Sequence, residues 1–248
     1  MLVAEVTSFR LRLISVNLCM WYLNECMDLF FPHYCAGCGV SLRNYQKALC
    51  LHCLTKLPRT RMHDFVDNRL ERLLWGRVSY ASASAFLRMP KNSEVHRMIH
   101  ELKYKSNQAI GLELGTMFGA ELKSSERMSH FDCVIPVPLH PKRLKERGYN
   151  QCDSIVQGVA ESMQTSYSLD NLVRNHYNAS QTRMSRYKRW QNVEAIFRVC
   201  DPAALEHAHV LLVDDVITTG STIEACANVL ADIKGIRISI ASLAIPQV

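Results

Sequence analysis

The chain has 248 residues, 48% of them hydrophobic and 21% charged, which excludes a disordered or fibrous protein and describes a globular one. That length allows one large domain, or a medium domain with a small appendage. A net charge of +6 mildly favours anionic partners, phosphates or nucleic acid, a bias that many soluble enzymes share.

At the start of the chain, Arg10 and Arg12 precede LISVNLCMWYL, superficially a signal peptide. The stretch is short, and Asn17, Asn24, Glu25 and Asp28 interrupt any run of the roughly 20 apolar residues a membrane helix needs. No small-residue cleavage site follows. Two readings fit: an amphipathic extension over residues 1–27 that docks on the protein, or an over-long start. On either reading the protein is expected to be cytoplasmic and not integral to a membrane.

Ten cysteines are many for a cytosolic chain unless some bind metal. Four form two C-x₂-C pairs, Cys35 with Cys38 and Cys50 with Cys53, separated by eleven residues. The other six are scattered, which argues for a reducing compartment and against a disulfide framework. Gly37 and Gly39 allow the tight turn that points paired thiolates at one ion, and four thiolates suit tetrahedral zinc in a closed structural site. His33 and His52 are alternative ligands that a full cysteine set makes unnecessary. A redox protein would place one C-x-x-C at a helix start rather than use a symmetric pair. The expectation is a small zinc ribbon over residues 28–58. Such ribbons bind nucleic acid, bind protein or brace a domain, and spacing does not choose among these.

Residues 59–78 mix arginines with acids and read as a connector with a helical end; the main domain then spans 79–248. Tyr80–Leu87 reads as its first strand. Val95, Met98, Ile99 and Leu102 recur at helical spacing over Ser93–Tyr104. His96 and His100 lie four apart on that helix, but no H-E-x-x-H or third ligand accompanies them, so a solvated or partner-facing pair outweighs a metal site. Ile110–Lys123 is a second helix, with Leu114, Met117, Phe118 and Leu122 on its apolar side. Phe131–Val137 is a second buried strand. LHPKRLKERGYNQ, residues 139–151, follows as a basic loop, and a helix begins near Asn150 or Gln151. A loop on the carboxyl edge of an α/β strand is where ligands bind. Arg147, Tyr149, Asn150 and Gln151 are therefore site candidates, against the plainer reading of a solvated loop.

Between Asn171 and Val193 there is no acidic residue, while Tyr177, Tyr187 and Trp190 are interleaved with five cations. Cations that track phosphates beside aromatics that stack bases are what single-strand binding uses, and the nucleic-acid candidates are Arg183, Arg186, Lys188, Arg189 and Trp190. A basic, partly buried helix with inward aromatics fits equally well. Ala195–Val199 reads as a short strand and Ile236–Ile245 as the last one.

Val210–Thr222, VLLVDDVITTGST, organises the chain. Val210–Val213 is an unbroken β-branched and apolar run, so this strand is buried on both faces, as in a parallel sheet. Asp214 and Asp215 stand at its end; Thr218, Thr219, Gly220, Ser221 and Thr222 follow, and then an apolar helical pattern over Ile223–Ile233. Amides at a helix start attract phosphate, Gly220 permits close backbone approach, and the hydroxyls add donors. The second glycine and the lysine of a triphosphate loop are absent. Taken singly, each part is an ordinary strand, turn and capped helix. Together they resemble the phosphoribosyl pyrophosphate (PRPP) signature of type I phosphoribosyltransferases. That resemblance implies that Asp214 and Asp215 hold ribose hydroxyls and that the turn from Thr218 to Thr222 holds a 5′-phosphate. It also implies a pyrophosphate-binding turn near Lys103 and Lys105, for which a basic helix end is the plain alternative.

The four-cysteine ribbon, P-V-P-L at Pro136–Leu139, R-G-Y-N-Q at Arg147–Gln151, Q-x-R-x-x-R at Gln181–Arg186 and the PRPP-like stretch occur in an order that resembles the ComF family of competence proteins. The resemblance covers nearly everything from residue 28 onward. It implies an α/β fold with a type I phosphoribosyltransferase-like parallel sheet, helices on both faces and a preceding zinc ribbon. It further implies a role in natural transformation, with single-stranded DNA, a phosphoribosyl ligand and competence, recombination or helicase proteins as partners. Structural Zn²⁺ is expected, and Mg²⁺ with PRPP. Two classes of function stand. One is a DNA-handling protein that keeps a phosphoribosyl site; the other is a working phosphoribosyltransferase with an unknown acceptor. The intact acids favour the second, and the lack of a recognisable nucleobase hood favours the first.

Overall fold

In this computed structural model, residues 32–43, 46–174 and 196–247 are described. The expected extension over 1–27 and the nucleic-acid candidates Arg183, Arg186, Lys188, Arg189 and Trp190 lie outside the described residues. The strands are β1 Ala83–Met89, β2 Cys133–Pro136, β3 Ser166–Tyr167, β4 Leu172–Arg174, β5 Phe197–Val199, β6 His209–Val216 and β7 Arg237–Pro246. The helices are α1 Leu51–Thr55, α2 Arg69–Leu74, α3 Glu94–Tyr104, α4 Gln108–Ser124, α5 Pro141–Arg147, α6 Gln151–Met163 and α7 Ser221–Ala231. Five strands pair in parallel in the order β1-β7-β6-β2-β3, while β4 and β5 form a separate antiparallel pair.

The unbroken apolar run of β6 behaves as a doubly covered strand must. Leu211 and Val213 point into an apolar cluster shared with α3, α4 and α6, and Val210 and Leu212 into one shared with α2 and α7. Helices therefore cover both faces, the condition under which parallel sheets persist. Pro136 sits in β2 without cost to the ladder. The Val134 carbonyl accepts from Ser168 N at 3.1 Å on the β3 side, and Pro136, two residues on, turns its missing N–H the same way, past the residues that pair with β3.

Gly111, Gly115 and Gly119 recur every fourth residue along α4 and lie against α6. A β-carbon at Gly115 would come within 2.4 Å of the Ile155 carbonyl oxygen, and one at Gly158 of α6 within 2.4 Å of the Leu112 carbonyl oxygen. The two backbones thus meet directly, which fixes α6 and the site residues at its start.

The basic stretch after β2, expected as a loop, is instead mostly helix α5. The His140 side chain accepts from Lys142 N at 3.2 Å, Pro141 occupies the first turn, and Gly148 at φ +80° ends the helix. None of its residues is buried, so no apolar periodicity announced it. The strand around Phe197 exists, but it pairs with β4 and not with the main sheet.

The cysteine module packs on the α3–α4 face. Ala36, Ala48 and Leu49 join the same apolar cluster as Met98 and Leu114. Glu113 Oε2 accepts from the amides of Ala48 and Leu49, each at 3.1 Å, and burial raises its carboxyl pKa.

Candidate functional site

From β2 the chain passes through α6 to β3 on one side, and from β6 through α7 to β7 on the other. The carboxyl ends of β2 and β6, which are neighbours, therefore border the crevice where open α/β sheets bind ligands. A cleft of about 1010 Å³ opens there, lined by Asp214, Asp215, Thr218 and Thr222 from one wall and by Lys103, Arg143, Arg147 and Gln151 from the other.

The two acids are not equivalent. Asp215 is 4% exposed, and both of its carboxylate oxygens are engaged: Lys103 Nζ lies 2.9 Å from Oδ1, and Gln151 Nε2 donates to Oδ2 at 2.5 Å. Asp214 is half-buried. Its Oδ1 accepts from Asp215 N at 2.8 Å and from the Cys152 thiol at 3.7 Å. Burial first, and the Asp215 charge second, raise its carboxyl pKa to about 7. The Cys152 thiol is pushed well above its ordinary range by burial and by the same two acids, so it stays protonated. Both acids line the cleft, and Asp214 is the more exposed of the two.

The turn after β6 carries Gly220 at φ +78°, a region that favours glycine, immediately before α7. A β-carbon there would also approach Leu74 Cδ2 to 2.9 Å. Thr219 Oγ1 and Ser221 Oγ lie 3.1 Å apart, and with Thr218 and Thr222 they supply hydroxyls around the helix start. The first amides of α7 have no helical acceptors of their own, which is the arrangement that receives an anion.

The remaining candidates divide between contact and support. Arg147 Nη1 donates to Gln151 Oε1 at 2.8 Å, and its guanidinium lies 4.8 Å from the centre of the Tyr104 ring. Gln151, held in this way, turns its amide to Asp215. Asn150 caps α6 by accepting from Cys152 N at 3.2 Å and ties back to the Val137 carbonyl at 3.1 Å. Tyr149 donates from its hydroxyl to the Leu102 carbonyl, joining α3 to the start of α6. Asn150 and Tyr149 therefore position the wall, while Lys103, Arg147 and Gln151 line it. His96 and His100 are exposed and also line the cleft.

Sequence reasoning missed three groups. Arg77, from the connector, donates through Nη1 to the Thr219 carbonyl at 2.6 Å and reaches Glu224 Oε2 at 2.5 Å; no local pattern links it to a turn so distant in sequence. Arg143 was hidden within the supposed loop. Arg174 also lines the cleft, and it pairs with Phe197, so residues 175–195 are bounded on both sides by this β-pair.

The second centre is the cysteine cluster. The sulfurs of Cys35, Cys38, Cys50 and Cys53 lie within 4.8 Å of one another, a donor set that can hold a metal ion. Cys50 N donates to Cys35 Sγ at 3.3 Å, and Cys53 N donates to Cys50 Sγ at 3.5 Å, the amide-to-sulfur bonding that stabilises thiolates. Among the described residues, no helix is long and apolar enough to cross a membrane.

No protein-family model matches the chain. It is 29% identical over 210 residues to DNA utilization protein YhgH of Escherichia coli O157:H7, covering 82% of this chain and 87% of that protein. It is 26% identical to Competence protein F of Haemophilus influenzae, covering 81% of this chain and 79% of that protein. Competence protein ComFC of Bacillus subtilis is likewise 26% identical, with 85% and 76% covered. Among solved structures, glutamine PRPP amidotransferase from B. subtilis aligns with a TM-score of 0.40 and 20% identity over 57% of this chain, which spans 30% of that enzyme. A hypoxanthine phosphoribosyltransferase from Staphylococcus aureus aligns with a TM-score of 0.31 and 15% identity, covering 62% of this chain and 72% of that one. The chain, a parallel α/β sheet bearing a four-cysteine cluster, is thus similar over about four fifths of its length to proteins named for DNA utilization and for competence.

Proposed function

We propose that the protein serves DNA uptake and utilisation in the cytoplasm, and that its cleft binds a phosphoribosyl ligand such as PRPP or ribose 5-phosphate. The observation that carries the site is the turn at Gly220. A left-handed glycine, a hydroxyl-rich turn and the start of α7 adjoin a half-buried carboxylate at the carboxyl edge of β6, with Thr218 and Thr222 lining the cleft beside it. In this reading the turn from Thr218 to Thr222 receives the 5′-phosphate. Asp214 accepts from the ribose hydroxyls, and Asp215, tied to Lys103 and Gln151, holds the wall in place.

Zn²⁺ on the four cysteines is structural: four thiolates leave no open position for a substrate. Mg²⁺ would enter with the ligand's phosphates and lie against the acid pair, since it prefers oxygen donors and the buried Cys152 thiol is a poor one. Single-stranded DNA is the proposed macromolecular partner, contacted by Arg183, Arg186, Lys188, Arg189 and Trp190. The support is the similarity to proteins named for DNA utilization and competence, and the place of that segment in the sequence between β4 and β5, the first of which carries Arg174 at the cleft. On this proposal ligand and strand compete.

Titrating zinc-loaded protein with PRPP, with and without Mg²⁺ and a single-stranded oligonucleotide, tests this. Saturable PRPP binding weakened by the oligonucleotide is expected, with oligonucleotide affinity falling by a log–log slope of about 0.7 per neutralised phosphate as salt rises. Protein that ignores single strands at low salt would remove DNA contact from the proposal. A second reading, phosphoribosyl transfer to an unknown acceptor, is favoured by the retained acid pair; release of pyrophosphate from PRPP in the presence of an acceptor would establish it.

A further inference from the structure

Helix α7 begins at the phosphate turn, yet its first turn carries an acid, Glu224. A carboxylate stabilises a bare helix N-terminus, but it repels a dianion placed on the same amides. Glu224 is not left free. Arg77 Nε and Nη2 both reach Glu224 Oε2, at 3.1 and 2.5 Å, and the third nitrogen, Nη1, donates to the Thr219 carbonyl at 2.6 Å. One planar guanidinium therefore faces the acid with one edge and the turn's backbone with the other, a fork that a lysine ammonium cannot reproduce. Arg77 also stands behind Gly220, where a β-carbon would approach its Nη1 to 3.4 Å.

We infer that Arg77 is a positioning residue of the phosphoribosyl site: it neutralises Glu224 and fixes the Thr219–Gly220 backbone, so that the start of α7 accepts a doubly charged phosphate. This rests on the reading that the turn holds a 5′-phosphate. It makes the connector between the cysteine module and the main domain part of the binding machinery. The turn carbonyl is drawn towards the guanidinium, and the local charge seen by an incoming phosphate is that of a closed ion pair, not of a bare acid.

Calorimetric titration of the full, zinc-loaded chain with ribose 5-phosphate tests the clamp. In Arg77→Met, Glu224 is uncompensated, and the dissociation constant should rise roughly tenfold, the scale of a full charge acting at a helix start. In the double variant Arg77→Met with Glu224→Gln, most of that loss should be recovered, because the repelling charge is gone. A residue that merely stabilised the fold would show no such rescue. Glu224→Gln alone leaves Arg77 unpaired beside the turn and should tighten binding about threefold, with a steeper salt dependence. This variant decides the matter even where Arg77→Met does not fold. Unchanged affinity in Glu224→Gln, or a double variant as weak as the single one, overturns the clamp while leaving the phosphate site intact. Wild-type protein that binds no ribose 5-phosphate removes both.

Discussion

Asp214 is an acid kept near neutrality by its surroundings, and that state has a consequence for stability. Burial and the Asp215 charge raise its carboxyl from 3.8 to about 7. Between those values the folded chain binds more protons than the unfolded one, so stability is lost as pH rises through that interval and levels off above it. Asp153, raised by burial to about 6, adds a slope of the same sign over the lower part. Thermal denaturation should therefore show Asp214 lowering the melting temperature from pH 6 to pH 7, against the opposite slope of His209, whose pKa burial lowers. Asp214→Asn should flatten that fall; an unchanged slope would mean that another group carries it. The position of this acid was legible in the sequence because it closes an unbroken apolar strand. Its difference from Asp215 was not, since Lys103 and Gln151 come from two other helices.

At the scale of elements, the α4–α6 contact holds the cleft wall. Gly115→Ala forces a methyl against the Ile155 backbone and should destabilise the chain by about 1–3 kcal/mol, the usual cost of overpacking. Thr116→Ala, at the exposed neighbouring position, is the control, and chemical denaturation reads both. Equal stability of the two variants would show that the helices part easily. The glycine spacing stands in the sequence, but its meaning depends on a partner helix that begins more than thirty residues later. Helix α4 itself was legible from its apolar period, and α6 begins where a helix was expected, near Asn150 or Gln151. Helix α5 was not, because a helix of exposed charges leaves only its punctuation, Pro141 and Gly148. Arg77 carried no signal at all: its chemistry appears only when the connector folds back on α7.

The molecule as a whole places its two centres on one scaffold. The cysteine module shares an apolar cluster with α3 and α4, and α3 delivers Lys103 to the cleft. Loss of the metal should therefore be felt beyond the ribbon. Protein purified without chelator should hold about one zinc per chain, and Cys50→Ser should lower both metal content and melting temperature. Full stability without metal would reduce the cluster to four neighbouring thiols, three of them buried.

The crevice between β2 and β6 is proposed to bind a ribose carrying a 5′-phosphate. Comparing dissociation constants for ribose 5-phosphate and inorganic phosphate, in wild type and in the Asp214→Ala, Asp215→Ala double variant, tests it most directly. Wild type should bind both ligands saturably. The double variant should lose ribose 5-phosphate by at least about tenfold more than inorganic phosphate, as expected when hydrogen bonds to charged acceptors are removed. Equal loss of the two ligands, or no wild-type binding of ribose 5-phosphate, would contradict it.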